Sequence, residues 1–388
     1  MSGDPSPFQP YPRFSDAEVQ RRREALAASL AEADVEHVVL YGANRSGSAV
    51  QWLTRWPVTR EAAVVHTPGD TDLLLVHFFN HVPNARRMAT EAQVRWAGDT
   101  TSSVVAELER RGAGERTRVG VVGPAPHALH VALAERFGAA IDLSAAYTRL
   151  RLVKSAEEVD WLRRAALLTD RSCEALRDGA RPGLNEHELG ALVEAAYLGA
   201  GGANYIHYFS VTSMSEPTQC VPSQWPTARS LEVGDVLSCE LSTAYGVDYP
   251  GQLLRTFTVA AEPTALYREL HAVAEAALER IEQVLRPGAT PAEVVAAAGV
   301  IEDAGFSTVD DLVHGLGGGY LPPVLGSASR TLEPLPPMTF TRGMTVVVQP
   351  NVVVRDGSAG VQTGELLHIT DDGCERLHAF PRGLSRIA

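Results

Sequence analysis

The sequence predicts two domains in tandem, an α/β domain over residues 1–150 and an α+β domain over residues 151–388. Three observations carry this. Short β-rich runs alternate with helical stretches up to about residue 150. From Ser155 the order changes to helix, helix, strands, and that order is then repeated. A chain of 388 residues with 45% apolar side chains also has material for more than one ordinary core.

Taken in order, residues 1–14 (MSGDPSPFQPYPRF) have no basic-then-apolar pattern and read as a Pro-rich arm over the surface rather than a signal peptide. Ser15-Asp16-Ala17-Glu18 is a capping-box pattern that opens a helix over 15–33. HVVLYG (37–42), AAVVHT (62–67), DLLLVHF (72–78) and RVGVVG (118–123) read as strands, with helices at 101–112 and 127–137. A second capping box at Ser155 starts a long helix that ends before RPG, and Asn185 with Glu188 caps the next. Strands are expected at 205–213, 236–243 and 252–260, then helices at 264–286 and 291–304. The last helix opens with Thr290-Pro291, a good N-cap and first-turn pair. Strands at 344–354 and 363–370 close the chain.

The net charge of −13 argues against nucleic acid and anionic membranes as partners, since both need basic patches. No apolar run reaches membrane-spanning length. Cys173, Cys220, Cys239 and Cys374 form no CxxC, which suits a reducing cytoplasm and leaves no zinc-type spacing. The single lysine, Lys154, lies in a charged helix start, so Schiff-base chemistry is not expected.

Several short stretches stand out. HGLGGGYLPP (314–323) lacks the Lys-Ser/Thr of a phosphate loop, and Pro322-Pro323 blocks the helix such a loop needs. It reads as a tight glycine turn. In the strand 236–243, Leu237, Cys239 and Leu241 share one face, and Ser238, Glu240 and Ser242 the other. If helices cover the apolar face, Glu240 looks into a concavity as a candidate base or cation binder. Gln349-Pro350-Asn351 interrupts an apolar run, and Gln362, Thr363 and Glu365 lie on a later strand. A buried Gln needs hydrogen-bond partners. The segment 218–235 is turn-rich and carries Cys220, Ser223 and Arg229.

The order and spacing of these pieces resemble the creatinase/aminopeptidase P superfamily over nearly the whole chain. The resemblance rests on LRLVKSAEEV at the start of the second domain, and on Arg229-Ser230-Leu231 with Gly234-Asp235. It rests also on LRTF (254–257), HGLGGGYLPP and GMTVVVQPN. It implies a small α/β N-terminal domain followed by an α+β pita-bread domain of two related halves. Metal-dependent members hold two divalent ions with two Asp, one His and two Glu. Carried across, those positions fall on Glu240, Gln252, Gly318, Gln349 and Gly364, with Glu365 beside the last. Amides and glycines do not hold such a pair. The creatinase histidine, which works without metal, falls on Ser223.

The expected function is therefore a metal-independent, cofactor-free creatinase-like enzyme that hydrolyses a C–N bond in a small polar or zwitterionic substrate. The alternatives are a dinuclear-metal Xaa-Pro aminopeptidase or dipeptidase, and a non-catalytic binding protein of the same fold. Glu240 is the expected base or cation partner, and His314 or His207 the acid–base. Gln252, Gln349, Tyr320 and Glu365 are expected at the substrate, with Cys220 and Ser223 as further candidates. The resemblance also implies a two-fold homodimer whose N-terminal domain closes over the partner's pocket. Arg45, Trp52, Trp56 and Arg60, with Phe78, Phe79, Asn80 and His81, are residues of the kind that anchor interfaces. Arg60, Phe79 and His81 are the ones expected to reach the neighbour's cavity.

Overall fold

The structure, a computed structural model, describes residues 12–43, 46–330 and 334–388. Residues 1–11 of the Pro-rich arm, and Arg45, lie outside the described residues. The chain divides into two compact units, Met1–Arg151 and Leu152–Ala388.

The first unit is built on a six-stranded mixed sheet. Its strands are β1 (His37–Ala43), β2 (Glu61–His66), β3 (Asp72–Val76), β4 (Ala92–Trp96), β5 (Val119–Val122) and β6 (Ala140–Asp142), in the order β4-β3-β2-β1-β5-β6. The helices are α1 (Asp16–Glu32), α2 (Ala49–Thr54), α3 (Val82–Met88), α4 (Thr100–Arg110), α5 (His127–Phe137) and α6 (Ser144–Leu152). Strands β4 and β6 were not expected, because AQVRW and AID are too short and too polar to stand out. β1 to β3 are apolar on both faces because helices cover both: Leu26, Trp52 and Leu53 pack on one side, Val104, Leu108 and Leu133 on the other. Trp52 and Trp56 are therefore core residues, 4% and 6% exposed, and not interface anchors.

The second unit opens with α7 (Ala156–Gly179) and α8 (Glu186–Leu198). Both start at complete capping boxes, Ser155 with Glu158 and Asn185 with Glu188. Three long antiparallel strands follow, β7 (Ala203–Ser213), β8 (Asp235–Ala244) and β9 (Pro250–Val259). The expected alternation of β8 holds. Leu237, Cys239 and Leu241 pack with Leu176, Leu189, Val193 and Tyr197 of the two helices. Each fully buried leucine there contributes about 2 kcal/mol. Glu240 consequently points to the opposite face.

The second half repeats the plan with α9 (Ala265–Val284), α10 (Pro291–Ala297) and α11 (Val300–Asp303). The single helix expected over 291–304 is broken where Ala298 and Gly299 end the first piece. Then come β10 (Ser307–Thr308), β11 (Val313–Leu316), β12 (Tyr320–Leu325), β13 (Thr345–Val348), β14 (Val352–Val353), β15 (Gly364–Ile369), β16 (Cys374–Arg376) and β17 (Ser385–Ile387). One curved sheet runs β12-β11-β13-β15-β9-β8-β7, with β16 beside β15 and β17 beside β9. Leu270, Leu278 and Ile281 of α9 cover Val346, Val348 and Leu367. Among the described residues, no helix is long and apolar enough to cross a membrane.

Candidate active site

The expected glycine turn is a hairpin joining β11 to β12. Gly317, Gly318 and Gly319 have φ of 103°, 76° and 116°, a run of left-handed backbone that side chains oppose. The turn sets His314, the second residue of β11, against Tyr320, the first of β12. Their rings stack with centroids 4.4 Å apart and planes 22° apart. His314 is 2% exposed, and its Nδ1 lies 3.2 Å from the carbonyl of Gly315.

Glu240 of β8, Gln252 of β9 and Gln349, just after β13, meet at one point although Glu240 and Gln349 are 109 residues apart. Gln252 Nε2 donates to Glu240 Oε1 and to Gln349 Oε1, each at 2.9 Å. They line a cavity of about 180 Å3 with His314, Tyr320, Tyr205, Tyr208, Gln224, Asp310 and Asp311. Every lining residue belongs to the second unit, and none is a lysine or arginine.

Asp310 and Asp311 were not anticipated. They sit in the turn between β10 and β11, where no periodicity marks them; their one signal is that they precede His314 by three and four residues. Asn351 orients Asp310 by donating to its Oδ2 at 3.0 Å. Oδ2 of Asp311 is buried and has no hydrogen-bond partner. Burial, and then the charges of Asp310 and Asp311, push Glu240 up to about 8. Burial raises Tyr320 above its usual value and Asp311 adds to the effect, while burial lowers His314. The site thus combines a carboxyl poised near neutrality, a neutral imidazole and two further carboxylates.

The remaining expected residues are placed as follows. His207 lies on β7 in an adjoining groove, with Glu194 Oε1 at 3.7 Å from its Nδ1. Cys220 precedes the lining residues Val221, Pro222 and Gln224, and Ser223 falls among them, but neither lines the cavity. The Ser223 backbone N–H bonds to Phe209 O at 2.8 Å. Glu365 corrects the expectation of a substrate contact. It is fully buried and outside the cavity lining, held by Arg255 at 3.2 Å, Arg376 at 2.7 Å and Arg382. Arg60, Phe79 and His81 belong to the first unit; Phe79 is 74% exposed, and His81 Nδ1 lies 3.1 Å from Thr59 Oγ1.

Residues 160–371 match the profile of metallopeptidase family M24. The chain belongs to metallopeptidase family M24. Relatives of this M24 chain include a probable dipeptidase PepE of Mycobacterium tuberculosis, 27% identical over 243 residues, 61% of each protein. An Xaa-Pro dipeptidase of Pyrococcus furiosus is 24% identical over 241 residues, 61% of this chain and 65% of that protein. The chain thus spans about three fifths of the length of the curated relatives it matches. The solved structure of dipeptidase PepE from Mycobacterium ulcerans superposes with a TM-score of 0.80 at 22% identity, covering 97% of this chain and all of that one. The pita-bread fold and the superfamily expected from the motifs are those of this M24 chain.

These comparisons correct the expected function. The relatives are named as dipeptidases and Xaa-Pro peptidases, which favours the alternative of a dinuclear-metal Xaa-Pro aminopeptidase or dipeptidase over a metal-independent creatinase-like enzyme. The metal pair of the family nevertheless does not fit the residues present. The Gln252 amide NH2 stands between Glu240 and Gln349 and turns its protons, not lone pairs, toward the point of convergence. At Gly364 a Cβ would meet Val348 O at 2.5 Å and Gln349 Cα at 2.8 Å, so no donor side chain has room there. Glu365 is taken up by its three arginines. Among the described residues, no group of three or more His, Cys, Asp or Glu converges as a metal site.

Proposed function

We propose that the chain is a hydrolase that cleaves short peptides from their free amino end, in keeping with the dipeptidase and Xaa-Pro peptidase names of its relatives. The observation that carries this reading is a small cavity lined by three carboxylic side chains, Glu240, Asp310 and Asp311, with no lysine or arginine in its lining. Such a cavity favours a cationic end group, and a peptide amino terminus supplies one. Its volume of about 180 Å3 suits one residue rather than a folded chain.

In this reading Asp310, positioned by Asn351, and Asp311, with its unpartnered Oδ2, hold the ammonium group. Glu240 exchanges protons with the attacking water and the leaving amine, for which a carboxyl poised at about 8 is suited. Gln252 fixes the Glu240 carboxyl by a hydrogen bond, and Tyr320 on His314 closes one wall. The four cysteines are free thiols, in keeping with a reducing cytoplasm. A two-fold homodimer in which Arg60, Phe79 or His81 reaches the partner's cavity is part of the same proposal; sedimentation of a monomer at micromolar concentration removes that part.

The test is a panel of di- and tripeptides, with and without proline in second place, assayed both with and without added divalent ions. Each peptide is paired with its N-acetylated form. Release of the first residue from the free peptides, and at least tenfold slower release from the acetylated ones, is expected. Equal rates on both forms, or no hydrolysis of any peptide, overturns the reading.

A further inference from the structure

A second concavity, of about 510 Å3, runs beside the active cavity along the outer edge of β7. Tyr205, Ile206, Tyr208 and Gln224 line both spaces, so the two share a wall. Its far wall is α8, where Gly190 and Ala191 leave room; a Cβ at Gly190 would meet nothing within 4 Å. Its rim is Trp225, 82% exposed, with Pro226 beside it.

The floor of this groove is an edge strand. β7 pairs along its length with β8 only, and its outer side takes one backbone bond, from Ser223 N to Phe209 O. Alternate residues of a strand point their N–H and C=O to the same side. The backbone groups of His207 therefore face outward like those of Phe209. Tyr205 is an extra residue at the register shift between Asn204 and Ile206, with no opposite number on β8. Among the described residues, no loop backbone bonds to the stretch 204–208. Edges of this kind are normally blunted by Lys, Pro or a covering loop, because they template added strands. Here a groove is left open over it. The side chain of His207 adds a second unmet need: it is 9% exposed, lines the groove, and its Nε2 has no hydrogen-bond partner.

We infer that this groove receives the remainder of the substrate as a strand added to β7, so that the preferred substrate is an extended peptide longer than two residues with its amino end in the Glu240 cavity. The inference rests on the peptidase reading and names the substrate class for it. Backbone bonds to His207 give affinity without regard to sequence, and Trp225 gives an apolar side chain a surface to lie on. The occupant is a substrate peptide because the groove adjoins the active cavity, with four lining residues in common.

Two measurements test this. The first compares kcat/KM for peptides of two, three and five residues that share their first two residues. The pentapeptide series includes forms N-methylated in turn at the third and fourth residues. The second follows amide exchange of residues 203–208 with a pentapeptide whose scissile amide is reduced to an amine. The pentapeptide is expected to exceed the dipeptide by about tenfold, one N-methylated form is expected to lose that gain, and the His207 amide is expected to exchange more slowly when the peptide is bound. Dipeptide hydrolysis with no gain on lengthening and no protection at His207 overturns the inference and leaves the peptidase reading standing. Protection at His207 without hydrolysis of any peptide does the reverse. Protection already present in the free protein, lost on dilution to monomer, assigns the edge to a second copy and also overturns it.

Discussion

Glu240 carries the sharpest prediction at the scale of single residues. It is the one carboxyl whose proton affinity burial and two neighbouring aspartates raise to about 8, within reach of neutral pH. Glu240→Gln keeps the hydrogen-bonded shape and removes the exchangeable proton. It is expected to lower kcat for the peptides at least about a hundredfold while the protein still unfolds cooperatively. Asp310 is held from behind by Asn351 and faces the cavity. Asp310→Asn is therefore expected to raise KM for free peptides by about tenfold and leave the N-acetylated forms unaffected. Much of this site was legible from the sequence. Alternation in one strand put Glu240 opposite Leu237 and Leu241, and the motifs put Gln252, Gln349 and His314 with it. Asp310 and Asp311 were not legible, because a four-residue turn between two strands has no period to read. Glu365 misled, because the arginines that claim it lie at positions 255, 376 and 382, and nothing local to it announces a partner.

Between elements, the decisive place is the contact of β13 with β15. Gly364 begins β15, and the carbonyl of Val348 and the Cα of Gln349 fill the space a side chain would need. Gly364→Ala is expected to cost about 1–3 kcal/mol in urea unfolding, since the two strands must part to admit one methyl group. Directly behind it, Glu365 pairs with an arginine on β9 that is 2% exposed. Glu365→Gln leaves the Arg255 charge buried and short of a partner, and a loss of about 3–5 kcal/mol is expected. At this scale the starts of the helices with their own capping boxes were legible to within a residue or two, because each N-terminus is satisfied by side chains three positions apart. The strand expected over 344–354 divides at Gln349–Asn351 into β13 and β14, which pair with different strands. The interruption was visible; its consequence, a cavity wall, depended on β8 and β9 more than 90 residues away.

Over the whole molecule, buried histidines and the raised Glu240 carboxyl set the dependence of stability on pH near neutrality. Burial lowers His207 from 6.5 to about 4, and burial followed by the Arg255 charge does the same to His271. A histidine lowered on folding resists protonation, so its contribution is complete above 6.5 and lost as pH falls toward 4. Glu240 runs the other way. Its raised affinity stabilises the fold fully below 4.5 and is lost as pH rises through 8. Between about 4.5 and 6.5 the lowered histidines, with buried His314 adding to His207 and His271, outweigh Glu240 and stability rises with pH; above that range the loss from Glu240 governs. Urea unfolding across pH 4 to 9 is expected to show greatest stability near about pH 6.5. Glu240→Gln should flatten the alkaline limb. Glu365 acts only in strong acid: burial opposes its charge, but Arg376, Arg255 and Arg382 outweigh burial and hold it at about 2, so its contribution fades as pH falls from 4.5.

Residues 376–387 do more than end a sheet. They return Arg376 and Arg382 to Glu365, His378 to Asp170 on α7, and β17 to the side of β9. A ribosome delivers α7 and β9 long before it delivers this segment. Until then Glu365 has Arg255 alone to meet its charge, and Asp170 lacks the His378 ring and the Ala379 N–H that hold it in the interior. The second unit is consequently a structure that closes only when residues 376–387 arrive, a purse with its drawstring on that one segment. A nascent chain arrested before position 376 should remain open to protease across β9 and β15, even with the seven strands that run from β12 to β7 already synthesised.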